Sequence, residues 1–307
     1  MATSLKLEST SPFQGLPELV AYDEGLFAAE GLDVEFVKRI GNAPTAVDVN
    51  INDANLVSSL VNHGSSAEAG GAAMFNACEW GNYRRVEDTQ TGSQQVGRRS
   101  IIAFGALMVA PDSDVYTPQQ LANKMIGVPY HAGTHYLALL MLEGFIPRDA
   151  IKTCLAPNGS KTRLESLMKG EIDATTITEP YITVAEKLGC RIIVAAPYHG
   201  TEVAGEEVDG ETYAAFNRAV REAVRRINAD KRKYLQYFID AHKTDPAVAA
   251  LTVDDLSPSR LQVVDPAPIP VEELERTYEW MKGWGMLKTV ALHDLVDDQR
   301  QLTGNAK

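Results

Sequence analysis

Apolar and polar residues alternate from Leu5 to Ser9, the period of a half-buried strand. A turn rich in Ser, Pro and Gly follows, from Ser9 to Gly15. Pro17 then predicts a helix start, since proline lacks only an N–H that has no partner in a first turn. That helix runs through Leu19 and Phe27 to a stop at Gly31, and Leu32 to Val37 alternates again. Strand, helix, strand is the opening of a parallel sheet with a right-handed crossover.

The segment from Gly41 to Gly71 is polar and small, with one apolar helix candidate at Leu56 to Val61. Ala72 to Trp80 reads as a buried segment, and the charged stretch from Tyr83 to Arg99 reads as a loop or sheet edge. The middle third then alternates cleanly. Strands are predicted at Ile101–Ala110, Met125–Tyr130, Ile151–Leu155, Asp173–Ile177 and Arg191–Ala195, the first of them one strand or two meeting at Gly105. Helices lie between them at Thr117–Leu121, Gly133–Leu142, Leu164–Lys169 and Pro180–Leu188. Thr117 with Pro118 supplies an N-cap and a first-turn proline. From Glu211 to Ile239 the pattern is helical, with Tyr213, Phe216, Val220, Val224 and Ile227 on one stripe. A proline-rich connector, Val263–Pro270, a helix, Val271–Gly285, and a short segment, Leu292–Val296, close the chain.

Composition narrows the class. At 307 residues, 45% hydrophobic and 23% charged, the chain has ordinary globular values and length for about two domains of roughly 150 residues each. The formal net charge of −12 argues against nucleic acid or an anionic membrane as a general partner, because phosphates need Lys and Arg. Cys78, Cys154 and Cys190 form neither a disulfide framework nor a metal-ligand spacing. They read as thiols of a reducing compartment. No apolar run reaches the length of a membrane span, and the first ten residues show no leader pattern. The chain as written is therefore expected in the cytoplasm, or in the periplasm if a leader has been removed. No cofactor or metal is called for.

Three segments carry a resemblance. Ala21 to Glu35, with its run Tyr22-Asp-Glu-Gly-Leu-Phe, resembles the opening of the sulfonate, nitrate, taurine and thiamine-pyrimidine-precursor binding proteins. Leu121 to Val128 followed by Gly133 and Thr134 resembles that family's second lobe, as do Leu167 to Thr175 and Thr178 to Tyr181. The closing Trp284 to Leu287 and Asp294 to Asp297 are similar to its C-terminal helix end. The resemblance implies a two-lobed α/β fold of the type 2 periplasmic-binding-protein kind. Lobe one would comprise residues 1–104 plus 195–307 and lobe two residues 105–194, with hinge crossings near Phe104 and Ala195.

In open α/β sheets ligands gather where strands end and helices begin, and the free N–H groups there favour anions. The first such turn offers Ser11, Phe13 and Gln14, two hydrogen-bonding side chains and a ring that stacks. Others offer Thr134 and His135, Asn158, and Glu179 with Tyr181. His135 is also a candidate acid or base. The pair His131 and His135 has helical metal spacing, but Gly133 between them at the helix start speaks against a metal. Cys78 sits in an unusual run, Asn76 to Arg85, where it is either a nucleophile or a buried inert thiol. His63 is a loop histidine or a further acid–base candidate.

The leading reading is a substrate-binding protein for a small sulfonate, aromatic acid or pyrimidine-like molecule, with an ABC-type permease as partner if exported. The alternative is an enzyme on this fold, a lyase or hydrolase using His135, Cys78 or His63. The first turn, Thr10-Ser-Pro, lacks the cysteine of the related desulfinase, and no cysteine cluster of the pyrimidine synthase is present between Asn50 and Trp80. A third reading is a cytosolic sensor that kept the fold and lost transport.

Overall fold

The computed structural model describes residues 2–38, 44–61, 71–90 and 94–304. Among the described residues, eleven strands fall in two sheets. They are β1 (Thr3–Glu8), β2 (Leu32–Val37), β3 (Met74–Cys78), β4 (Gln94–Arg98), β5 (Ile101–Val109), β6 (Met125–Val128), β7 (Lys152–Leu155), β8 (Ala174–Thr178), β9 (Arg191–Tyr198), β10 (Gly200–Ala204) and β11 (Gln262–Val263). The α-helices are α1 (Pro12–Asp23), α2 (Leu26–Ala29), α3 (Glu79–Thr89), α4 (Gly133–Glu143), α5 (Ser160–Met168), α6 (Tyr181–Lys187), α7 (Gly210–Ala229), α8 (Lys231–Asp240), α9 (Pro246–Ala249), α10 (Val271–Gly283) and α11 (Asp298–Gly304).

One sheet has the order β2-β1-β3-β10-β4. Its β1 runs parallel to both neighbours, and β10 runs antiparallel to both of its own. The other has the order β11-β5-β8-β6-β7, with β9 also antiparallel to β5. Two direct strand-to-strand connections join the sheets, at Arg99–Ser100 between β4 and β5 and at His199 between β9 and β10, and a longer passage leads from β10 through α7, α8 and α9 to β11. Phe104 and Ala195 lie within the second sheet, where Phe104 pairs with Pro197 and Ala195 with Ala106. The two crossing strands are therefore neighbours, as a two-stranded hinge requires.

Helices α1, α2 and α7 cover the first sheet. All five residues of the α7 stripe are buried, and Phe216 stacks on Phe27 at 5.5 Å. Burying each such side chain contributes about 1.5–3 kcal/mol. Helix α4 backs the second sheet with Leu137, Leu139 and Leu142, all buried.

Several boundaries move. Helix α1 begins at Pro12 rather than Pro17, but Gly15 breaks it with φ −145° and ψ 35°, so Pro17 still opens the second, regular half. The long helical pattern after Glu211 divides at Asp230, whose φ of −150° ends α7 and whose carboxylate accepts the Lys233 N–H to cap α8. Leu56–Val61 forms two short 3-10 turns. Of Tyr83–Arg99, read as loop or sheet edge, Gln94–Arg98 is strand β4 at the edge of the first sheet, as the second reading had it, whereas Tyr83–Thr89 is not loop but part of helix α3. Its polar residues Asn82, Arg84 and Arg85 face inward and are buried, so hydrophobic periodicity misleads there. Strand β10 and helix α11 had no counterpart in the sequence reading.

Candidate functional site

A cavity of about 310 Å³ lies between the two sheets, at the starts of α1, α4, α5 and α6. From the first lobe it is lined by Ser11, Phe13 and Gln14, and from the second by Thr134, Asn158, Glu179 and Tyr181. Seven of the eight positions proposed for ligand contact thus share one cavity. Around it stand Gly133, Ser160, Lys161, Arg163, Tyr198 and His242.

Helix starts explain this convergence. Helices α1, α4, α5 and α6 have Ser11, Ala132, Gly159 and Pro180 at their N-caps, and none of these caps the helix with its side chain. First-turn N–H groups are orphans of the helical hydrogen-bond pattern and carry the positive end of the helix dipole. The carboxylate of Glu179 already serves the end of α6; the other three, around one cavity, favour a negative occupant.

Arg163 adds a full charge. It is 1% exposed, and its donors all go to neutral oxygens. Nη1 donates to the carbonyls of Pro157 at 2.7 Å and Asn158 at 2.6 Å, Nε and Nη2 to that of Thr176 at 3.2 and 2.9 Å, and Nη2 to Ser160 Oγ at 3.4 Å. Among the described residues no carboxylate pairs with it. Burial pulls its guanidinium down to about 9, which leaves it charged at neutral pH. Lys161, half exposed, is instead paired with Asp245 at 3.2 Å.

The acidic member of the cavity is already neutralised within the protein. Glu179 accepts from the Thr183 N–H at 3.2 Å, from the Thr183 hydroxyl, and from Arg260 at 2.8 Å. It caps the start of α6 and binds α6 to the 3-10 turn carrying Arg260. It is therefore not a free acceptor for an amine or amidine. Tyr181 donates its hydroxyl to Asp245 at 3.0 Å and offers only its ring. Thr134 lines the cavity, and its carbonyl accepts from the Thr176 hydroxyl at 2.9 Å.

His135 is not on the cavity. It is 1% exposed, with its ring 5.1 Å from that of Tyr130 and 5.0 Å from that of Tyr136, and its Nδ1 accepts the His131 N–H at 3.1 Å. Burial holds it well below the usual histidine range, so it is a neutral packing element rather than an acid, base or ligand contact. His131 is likewise engaged, its Nε2 within 2.7 Å of the Ala54 carbonyl and its Nδ1 3.2 Å from Tyr136 Oη. Cys78 is 3% exposed and caps α3, its Sγ accepting the Gly81 N–H at 3.2 Å. Burial pushes its thiol up to about 11, the opposite of an activated nucleophile. His63 falls outside the described residues.

The sequence reading did not single out Arg163, Lys161, Tyr198 or His242. One signal was available. Lys161 and Arg163 stand in the first turn of α5, where the dipole disfavours cations. Gly133 proves necessary for a reason internal to the protein: a Cβ there would lie 2.7 Å from Tyr198 Oη and 2.9 Å from its Cζ.

No family model matches the sequence, and no curated protein matches it. Solved structures do. The alkanesulfonate-binding protein SsuA from Xanthomonas axonopodis pv. citri, bound to MOPS, is 12% identical, with 94% of this chain and 95% of that one covered at a TM-score of 0.69. The periplasmic aliphatic sulphonate binding protein SsuA from Escherichia coli is 12% identical, covering 98% and 94%, at 0.70. The desulfurization enzyme DSZB is 14% identical, covering 98% of each chain, at 0.59. The likeness spans nearly the whole of each chain, and the protein has the two-lobed periplasmic-binding-protein fold.

Proposed function

We propose that this chain is a substrate-binding protein that holds a small organic anion, a sulfonate or an aromatic acid, in the cleft between its lobes. The observation that carries this is Arg163, a buried guanidinium with no carboxylate partner beside a cavity ringed by helix starts. An incoming anion supplies the counter-charge that the protein lacks there, and orphan N–H groups orient it. Phe13 and Tyr181 provide flat apolar surface for the rest of the molecule. The names of the sulfonate-binding neighbours agree with an anionic ligand.

Ser11, Phe13 and Gln14 come from one lobe and Thr134, Asn158 and Arg163 from the other, so a ligand touching both rewards closure about the crossings at Arg99–Ser100 and His199. A protein of this kind hands its cargo to an ABC-type permease, and we propose that partner here. The enzyme reading has less support, because His135 is turned away from the cleft and Cys78 is a protonated cap.

Calorimetric titration with propanesulfonate, benzenesulfonate and benzoate tests the proposal, with mass analysis of the recovered ligand. Saturable binding of at least one anion, recovered unchanged, supports a binding protein. A chemically altered ligand indicates the enzyme, and failure of all three anions to bind overturns the anion reading.

A further inference from the structure

A second cavity, of about 470 Å³, lies behind the crossing strands. Its walls are Trp80, Leu137, Leu140 and Met141, with Tyr198 and His199 of the crossing at its back. Tyr198 also lines the first cavity, so one ring forms part of both walls. Glu79 and Glu273 also line it, together with Arg276 and Thr277.

Glu273 is paired with Arg98. Glu79 has no cationic partner among the described residues and only hydroxyl support, from Tyr83 at 3.1 Å and from Thr277. Burial, and then the Glu273 charge, push its carboxyl up to about 7. Beside it the indole of Trp80 packs at 5.7 Å from the Tyr198 ring, and an indole face attracts cations.

We propose that this cavity is a second ligand site, taking a small aromatic cation of the amidinium or arylammonium class, with its charge between Glu79 and Glu273 and its ring against Trp80. The cation supplies what Glu79 lacks, and the apolar wall of Leu137, Leu140 and Met141 takes the hydrocarbon part. The other charged or titratable groups facing Glu79 are Cys78, Tyr83, Arg98, His199 and the exposed Arg276. Glu79 is the one among them held near neutrality in its titration, so binding the cation releases a proton below that point. Occupancy also presses on Tyr198 and His199, at the crossing itself.

Benzamidine is the probe, titrated against the full chain and followed by tryptophan fluorescence, since Trp80, Trp280 and Trp284 form one ring cluster. Affinity is expected to rise about tenfold between roughly pH 6 and roughly pH 8, as Glu79 ionises. Glu79→Gln should abolish that rise, and Leu140→Arg should abolish binding by filling the mouth with a like charge. Arg163→Met, in the other cavity, should leave benzamidine binding unchanged. Absence of saturable binding at millimolar benzamidine overturns the proposal. So does a Glu79→Gln variant whose affinity still rises with pH as the parent's does, or loss of benzamidine binding in Arg163→Met. The anion titration is a separate measurement, so either site can fail alone.

Discussion

Replacing Arg163 by methionine removes the charge and keeps most of the stem. In the folded protein the guanidinium makes five hydrogen bonds, to three carbonyls and one hydroxyl. Losing them removes a donor from the Pro157 and Thr176 carbonyls, at about 1–3 kcal/mol for each group left unsatisfied and buried. Part of that is offset, because the variant no longer buries an uncompensated cation. The net change in unfolding free energy is therefore expected to be a loss of about 1–3 kcal/mol, and the variant should fold.

The effect on ligand is of a different kind. An anion about 5 Å from the guanidinium, at an effective dielectric of about 20, is held by roughly 3 kcal/mol. That corresponds to about a hundredfold in dissociation constant. Calorimetry with a sulfonate that binds the parent protein, at fixed salt, measures it, and thermal unfolding of the same samples shows that the variant is folded. Arg163→Lys keeps charge without the planar fork and should fall between the two. A methionine variant that is folded and binds within threefold of the parent would refute the assignment of Arg163 as the counter-charge.

Gly133→Ala should lower stability by about 1–3 kcal/mol through forced displacement of the Tyr198 ring and shift tryptophan emission, because Tyr198 packs on Trp80 at 5.7 Å; an unchanged spectrum and melting temperature would show that the ring gives way freely. Cys78→Ser should leave anion affinity unchanged, and a thiol reagent at neutral pH should label none of the three buried cysteines until the protein unfolds, since burial raises Cys78 and Cys154 to about 11 and raises Cys190 as well. Rapid labelling of Cys78 in the folded state would reopen the nucleophile reading. Glu18 and Glu202 are buried against each other, and desolvation raises both carboxyls. The folded state then keeps protons that the unfolded chain releases near its ordinary carboxylate range, so stability falls as pH rises from about 4.5 through the raised folded values. Glu202→Gln should flatten that fall and stabilise the protein above neutrality by about 1–3 kcal/mol; urea titrations across that range with parallel slopes for parent and variant would contradict it.

The sequence was most legible where burial and periodicity agree. Leu32–Val37 stands where its alternation put it, and the α7 stripe is buried throughout. It was least legible from Glu79 to Arg98. There α3 turns Asn82, Arg84 and Arg85 inward, and Arg84 is satisfied by Asp88 at 2.9 Å and by the Met286 carbonyl at 3.0 Å. Arg85 lies over the Phe75 ring at 4.1 Å. A buried guanidinium that finds its partners across the fold is indistinguishable, in one dimension, from a solvated one. Strand β10 was missed for a related reason: it carries Glu202 and Thr201 into a fully buried position, where alternation gives no sign of burial on both faces.

The same limit divides the site. Where strands end and helices begin follows from topology, and that is why turns scattered from Ser11 to Tyr181 close on a single cavity. Which side chain of a turn looks into the cavity is a matter of rotation. Successive helical residues point about 100° apart, given 3.6 residues per turn. Thr134 therefore faces the cleft while His135, one residue on, packs among Tyr130, His131 and Tyr136. A reading by residue type prefers the histidine, as the more versatile chemical group, and so selects the neighbour that does not line the cavity. Arg163 is the converse case. By type it is an ordinary surface cation of a short helix, but its place near the positive end of α5 is electrostatically costly unless something negative comes to it. Position along the dipole, rather than chemical versatility, is the feature of the sequence that points to the cleft.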